Sequence, residues 1–425
     1  MYGGDDAYRL KQEIVLGIGG VRMLHALGFT VRRYHMNEGH SALLALELLR
    51  RNAYPQQDVR PGESMYDIPR VRELCSFTTH TPIESGHDQF PYDLVARVLD
   101  GYVDMGTIKA FAGHDRLNMT RLALNLSDYV NGVAHSHAAT SAHMFPGYVV
   151  RAITNGVHPF AWSCPSFIKL YDEYLPGWCH EPELLSRADR IPNEAIWSAH
   201  QAAKDALIAL VKERTNVVLR PDQPILGFAR RMTGYKRPDL LFSDLACLKA
   251  IAAKQPFQIV LAGKAHPRDA GGKQLIELLH RHINDLAQSI SVVFVPNYDM
   301  AVARIIVAGC DVWLNTPLRP LEASGTSGMK AAFNGVPSFS VLDGWWIEGC
   351  IEGVTGWGVG DSKPMSNGDD ATALYRKLEQ TVLPLYYDDA HVPWITLMKG
   401  AICKNASYFN SHRMMRRYVT EAYLR

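Results

Sequence analysis

The sequence is short of several things that would narrow its reading at once. Cysteine is sparse and scattered: Cys75, Cys164, Cys179, Cys247, Cys310, Cys350 and Cys403, with no CxxC pair among the seven. That spacing argues against a zinc framework, and the odd count points to free thiols in a reducing compartment rather than a disulfide-stapled fold. No uninterrupted apolar run reaches the ~18 residues of a membrane span. The opening stretch, MYGGDDAYRLKQEIVLGIGG, lacks the basic-then-apolar order of a secretory leader. The expectation is a cytoplasmic protein without a membrane partner. An excess of one charge is missing too, since 44 basic residues face 43 acidic ones. Such a balance argues against nucleic acid as the main partner while leaving room for a local basic pocket. Repeats and low-complexity tracts are also absent.

What is present is ordinary globular composition, 47% hydrophobic and 20% charged, over 425 residues. That length accommodates two domains with real cores. Apolar residues at helical spacing predict a helix over Ser41–Arg51, and Glu73–Pro82 reads as a strand running into a loop. Residues 119–145 suggest a helix or strand feeding a polar, histidine-rich loop. The chain starts in helix-like sequence, as though something preceded it. Beyond a long helix at Ala195–Thr215 the rhythm changes. Short apolar strands at Ile225–Phe228, Phe257–Gly263, Ser291–Pro296, 311–316 and Pro337–Asp343 alternate with loops and helical stretches. Uniformly apolar strands alternating with helices predict a parallel sheet covered on both faces. Ligands bind such sheets outside the carboxyl ends of the strands. The tail, Tyr408–Arg425, reads as helical.

Two of these strand-end loops carry chemistry. ARRMTGYKRP holds Arg230, Arg231, Lys236 and Arg237 within eight residues. So many cations beside a sheet edge repel one another unless an anion sits among them, and guanidinium forks suit phosphate. A solvated basic turn accounts for the same residues. The second loop, LEASGTSGMKAAFNG, places Glu322 before Ser324–Gly328, which can expose several N–H groups at a helix start where anions are favoured. Lys330 then falls in the first helical turn, where a cation opposes the dipole. A shielded lysine loses its charge readily and condenses with aldehydes. A covalently held aldehyde cofactor carrying a phosphate would use both features, although a lysine that reaches to water is the commoner case. Trp162 and Tyr298, the latter directly after a strand, would flank such a cofactor, and packing alone would explain both aromatics. The histidines His80, His87, His135, His137 and His143 lack acidic or cysteine partners at metal-ligand spacing, so no metal is expected.

Taken together, these segments resemble the α-glucan (glycogen, starch, maltodextrin) phosphorylases. EASGTSGMKAAFNG is similar to the family's cofactor-lysine segment and RRMTGYKRP to its phosphate-site segment. NGVHPFAW and VPNYDMAVA match further segments, and RLKQE, MNEGHSALLALELL, FTTHTP and YVNGVAHSH follow in family order. The likeness is greatest to the short bacterial branch. It implies an α/β fold of the glycosyltransferase B type, two Rossmann-like domains facing a cleft. The implied reaction is reversible phosphorolysis of terminal α-1,4-glucosyl units to α-glucose 1-phosphate with retention, using pyridoxal 5'-phosphate.

By this resemblance Lys330 would hold the cofactor covalently. Thr326 and Arg230 would meet its phosphate, and Trp162 and Tyr298 would pack against it. Arg231 and Lys236 would clamp the substrate phosphate. Glu322, Ser324 and Gly325 would bind glucose hydroxyls together with Asn155, Tyr235 and His80. Residues 1–153 would form part of an N-terminal glucan-binding domain, residues 154–410 the cofactor and phosphate domain, and residues 411–425 a closing helix. The partners implied are α-1,4-glucan and inorganic phosphate, with a homo-oligomer compatible.

Two departures accompany the likeness. Arg230 stands where many relatives have lysine. The family's glycine-rich phosphate loop and an aromatic cofactor contact would lie before residue 1, so the N-terminal domain is expected to be incomplete. LGIGGVR imitates that loop but by order matches a later helical region. A nucleotide-sugar glycosyltransferase of the same fold and an inactive glucan-binding fragment are the alternatives; Lys330 separates the first from a phosphorylase, and formation of glucose 1-phosphate separates the second.

Overall fold

Strands with no polar face must be covered on both sides, and this chain builds the larger of its two parallel sheets mostly from such strands. A computed structural model describes residues 4–99, 101–267, 269–360 and 366–424. The chain divides into two units, Met1–Ile153 with Arg417–Arg425, and Thr154–Arg416. Each is described by itself.

The first unit contains β1 (Tyr34–Asn37), β2 (Cys75–Thr78), β3 (Gln89–Pro91), β4 (Arg116–Asn118), β5 (Tyr129–Gly132) and β6 (Arg151–Ala152). A four-stranded parallel sheet runs β1-β2-β5-β6, and β3 and β4 form a separate antiparallel pair. Strands β2 and β5 are buried at every position, as interior parallel strands require. The LGIGGVR stretch is helical, a π-turn at Val15–Gly19 leading into the helix Gly20–Ala26.

The histidine-rich stretch after β5 differs from expectation, because it is the helix His135–Met144 rather than a loop. Three alanines among its ten residues favour that state. His137 is buried and its Nδ1 accepts the Val133 N–H at 3.2 Å. The last residues belong to this unit. The Tyr418 hydroxyl accepts from Asn131 Nδ2 at 3.1 Å, and the Tyr423 hydroxyl meets His35 Nδ1 at 2.6 Å.

The second unit holds β7 (Ile225–Ala229), β8 (Gln258–Ala262), β9 (Val292–Val295), β10 (Val312–Asn315), β11 (Ser338–Val341) and β12 (Gly356–Val359). Its six-stranded sheet runs β12-β11-β10-β7-β8-β9, and every pairing is parallel. The chain lays β8 and β9 outward from β7, then returns to add β10, β11 and β12 on the other side. This is the doubly wound order, and its reversal point lies between β7 and β10. Glycine and tryptophan rather than branched residues make up much of β12, GWGV, so it carries a weak strand signal.

The helix Asn193–Thr215 buries Ile196, Ala199, Ala203, Leu207, Leu210 and Val211 along one stripe and ends on Asn216 in the left-handed region. That stripe also carries His200 and Lys204. Both are buried and both pair with the buried Asp311, Lys204 at 2.9 Å and His200 at 2.8 Å. Among the described residues no helix is long and apolar enough to cross a membrane.

Candidate functional site

Arg230 is the first residue after β7, and Glu322 lies in the loop that follows β10. The two loops therefore leave the two strands that flank the reversal point. Backbone bonds stitch them together: Leu318 N–H donates to Tyr235 C=O at 2.7 Å, and the Thr316 hydroxyl donates to the carbonyls of Lys236 and Arg237 at 3.1 and 2.8 Å. Between them the buried Glu322 carboxylate accepts from Arg230 Nη2 at 2.9 Å and from Lys236 Nζ at 2.6 and 2.5 Å.

Burial works against the charge on Glu322, but Arg230 and Lys236 outweigh it and hold its carboxyl below the ordinary value. For Lys236 burial comes first, reinforced by Arg230. Together they overcome the attraction of Glu322 and bring the ammonium down to about 8. The Lys236 ammonium also rests over the Tyr235 ring, 4.5 Å from its centroid.

An anion was expected among these four cations, and the chain supplies one itself. Glu322 serves two of them. Arg237 is buried, bonds the carbonyls of Thr316 and Pro317 at 2.9 and 2.7 Å, and pairs with Asp370 at 2.7 Å. Arg231 is exposed. Arg230 keeps Nε and Nη1 buried without a hydrogen-bond partner, as does the Ser324 hydroxyl. Buried donors left over by the protein's own contacts fit an anionic, hydroxyl-bearing ligand. Gly325 adopts φ +81, and a Cβ there would meet the Glu322 side chain at 3.2 Å, so this turn requires glycine.

Lys330 is the fourth residue of a six-residue helix, Ser327–Ala332, rather than a member of the first turn, so the dipole argument drops away. Thr326 precedes that helix, and its carbonyl accepts the Lys330 N–H at 3.2 Å. Lys330 is half-buried. Its amine lies 3.8 Å from the centroid of the Trp162 ring, at the end of the short helix Pro159–Trp162. Burial lowers its pKa, which favours the neutral, nucleophilic amine.

Tyr298, just beyond β9, is half-buried, and burial raises its phenol pKa against the opposing charge of Arg230. Asn155 accepts from Arg413 through its carbonyl at 2.9 Å. His80 belongs to the first unit, where its N–H donates to Glu38 at 2.7 Å and burial lowers its pKa.

Sequence reasoning missed Asn334. This buried amide donates to the Trp162 and Lys330 carbonyls at 2.8 and 3.1 Å and accepts the Cys164 N–H at 2.8 Å. It ties the segment carrying Trp162 to the helix carrying Lys330. In sequence it is only the Asn of an Asn-Gly turn. Asp343, in the turn after β11, was also missed. Among the described residues one trio, Glu13, His40 and Asp88, brings three ligand atoms within 4.8 Å of one another. The Arg9 guanidinium already supplies its cation, 2.7 Å from both Glu13 and Asp88.

Doubly wound topology, with a carboxylate between two cations and a half-buried amine following the carboxyl ends of the strands, defines an α/β protein whose candidate site lies at the reversal of strand order. The family model described as carbohydrate phosphorylase matches residues 103–355. Maltodextrin phosphorylase of Thermococcus litoralis is 39% identical over 100% of this chain and 54% of that protein. Glycogen phosphorylase of Aquifex aeolicus is 37% identical over 100% of the chain and 67% of that protein, and that of Mycobacterium tuberculosis is 33% identical over 100% and 55%. The chain belongs to the carbohydrate phosphorylase family. It spans about half the length of most of these curated relatives.

Proposed function

We propose that this chain carries the cofactor and phosphate side of an α-glucan phosphorylase. The reaction would be reversible phosphorolysis of terminal α-1,4-glucosyl units to α-glucose 1-phosphate with retention, on a glycosyltransferase B architecture. The observation that supports it most is the contact of Arg230 and Lys236 with Glu322 at the β7–β10 reversal, with Lys330 on the helix that follows the Glu322 loop. A nucleotide-sugar transferase has no use for a shielded amine at position 330.

In this reading the residues present fit pyridoxal 5'-phosphate. Arg230 has two spare buried donors for a phosphate, Thr326 immediately precedes the helix of Lys330, and Lys330 has the lowered basicity that bonding an aldehyde carbon requires. Trp162 and Tyr298 would line the ring. When bound, the cofactor supplies an acidic phosphate group that keeps the neighbouring inorganic phosphate protonated.

The chain's own groups do the rest. Arg231 and Lys236 hold inorganic phosphate, because two adjacent phosphates repel unless cations neutralise them. Glu322, Ser324 and Gly325 engage the glucosyl hydroxyls, with Asn155 and Tyr235 supporting and His80 of the first unit assigned to the glucan. The bound phosphate then gives its proton to the glycosidic oxygen and captures the oxocarbenium-like carbon on the same face, so no hydrolase-type carboxylate pair is needed. Residues 1–153 would contribute to glucan binding and 154–410 to the cofactor domain, in a cytoplasmic enzyme that is compatible with homo-oligomers.

The test is direct. Protein loaded with pyridoxal phosphate, reduced with borohydride and mapped by mass spectrometry should carry the modification on Lys330. The same preparation should release glucose 1-phosphate from maltodextrin and inorganic phosphate. An unmodified Lys330 in fully loaded protein would end this reading.

A further inference from the structure

Asp343, outside the contact set above, holds the Glu322 loop in place. It lies in the turn after β11 and is 3% exposed. Its Oδ2 accepts the Glu322 N–H at 2.9 Å and its Oδ1 accepts the Gly344 N–H at 2.8 Å. The backbone closes the same joint, Trp345 N–H donating to Ser324 C=O at 2.9 Å. Gly344 adopts φ +55, and a Cβ there would lie 2.5 Å from the Ser324 carbonyl oxygen, so the approach tolerates no side chain. Loops leaving the adjacent strands β10 and β11 are thus pinned to each other through one carboxylate.

We propose that Asp343 is a positioning residue: by fixing the backbone of Glu322 it aims the Glu322 carboxylate between Arg230 and Lys236 and toward the hydroxyls of the substrate. The substrate half of this statement rests on the function proposed above; the pinning does not. A carboxylate accepts from both amides with no donor of its own, whereas an asparagine offers one oxygen and turns an NH2 group against the second N–H.

The charged groups acting on this joint are Glu322, Arg319 and Lys236. Burial pushes Asp343 up to about 6 despite its two amide bonds, with Glu322 adding to the rise and Arg319 opposing it. Asp343 is therefore ionised at neutral pH and takes up a proton as the pH falls through about 6. Protonation converts one acceptor oxygen into a donor and loosens the joint.

Hydrogen–deuterium exchange of the holoprotein tests this, read on the peptide carrying Glu322–Gly325 and corrected for intrinsic pH dependence. In the parent, protection at neutral pH should fall below the Asp343 midpoint. In Asp343→Asn it should already be lower at neutral pH, by roughly tenfold or more for a lost charged hydrogen bond. Peptides from the helix Asn193–Thr215 should stay unchanged in both. If Asp343→Asn does not fold, the parent's pH series decides alone.

Equal protection in variant and parent at neutral pH, or a parent loop unaffected by acid, overturns the proposal. In active holoprotein kcat should fall in acid as Asp343 takes up its proton, and that fall should be absent in Asp343→Asn, with little change in the KM for phosphate. A parent that makes no glucose 1-phosphate counts against the proposed function, and the exchange data still judge Asp343.

Discussion

Lys236 carries its charge on narrow terms. With its ammonium brought down to about 8 by burial and by Arg230, it is a cation at neutral pH and loses that charge as pH rises through about 8. Inorganic phosphate remains an anion across that range, so affinity for it should fall over the same interval. Titration calorimetry on the loaded protein checks this. Lys236→Arg, whose guanidinium stays charged, should flatten the decline. Stability moves the opposite way. Above about 8 the folded state binds fewer protons at this site than the unfolded one, so this residue's contribution rises with pH. A phosphate affinity that does not vary with pH in the parent would remove Lys236 from the clamp. At this scale residue types were legible: Glu322, Arg230, Lys236 and Lys330 were all chosen from loop chemistry and family likeness. Their pairing was not, because the 86-position separation of Lys236 and Glu322 is closed only by the sheet.

Elements, more than single side chains, set the surroundings of Lys330. The short helix Pro159–Trp162 and the helix Ser327–Ala332 are joined by the three hydrogen bonds of Asn334, which is fully buried. Asn334→Ala should cost about 1–3 kcal/mol, the penalty for leaving buried polar groups unpaired. It should also release Trp162 from the amine. Urea unfolding measures the first effect, and the rate at which pyridoxal phosphate loads onto the protein measures the second. A variant as stable and as readily loaded as the parent would show that the joint is held by something else. The strands β7 to β11 were readable because their apolar runs have no alternative partner. The strand β12 was not, and the histidine-rich helix passed for a loop because its polar side chains mask an alanine-supported turn of helix.

At the scale of the whole molecule, the chain's last residues return to complete the first unit. Tyr418 and Tyr423 satisfy Asn131 and His35 beside its parallel sheet, and Tyr129 donates to Glu421 at 3.3 Å. Deleting residues 417–425 should take one hydrogen bond from each of Asn131, His35 and Tyr129, at about 0.5–1.5 kcal/mol each. Chemical denaturation, monitored by exchange in β2 and β5, should show that unit destabilised while β7 and β8 keep their protection. Equal loss in both sheets would contradict the division.

By itself the sequence determined the alternation of strand and helix, the absence of a bulk charge to attract nucleic acid, and the family. These follow from local periodicity, composition and ordered short motifs, which survive without knowledge of neighbours. Only the tertiary structure decided which loops meet. It brought Glu322 between two cations from another strand, laid Lys330 on Trp162, and hung the Glu322 backbone on Asp343. Such contacts join residues far apart in the chain, and they depend on the order of strands in a sheet, a property that no local stretch of residues contains.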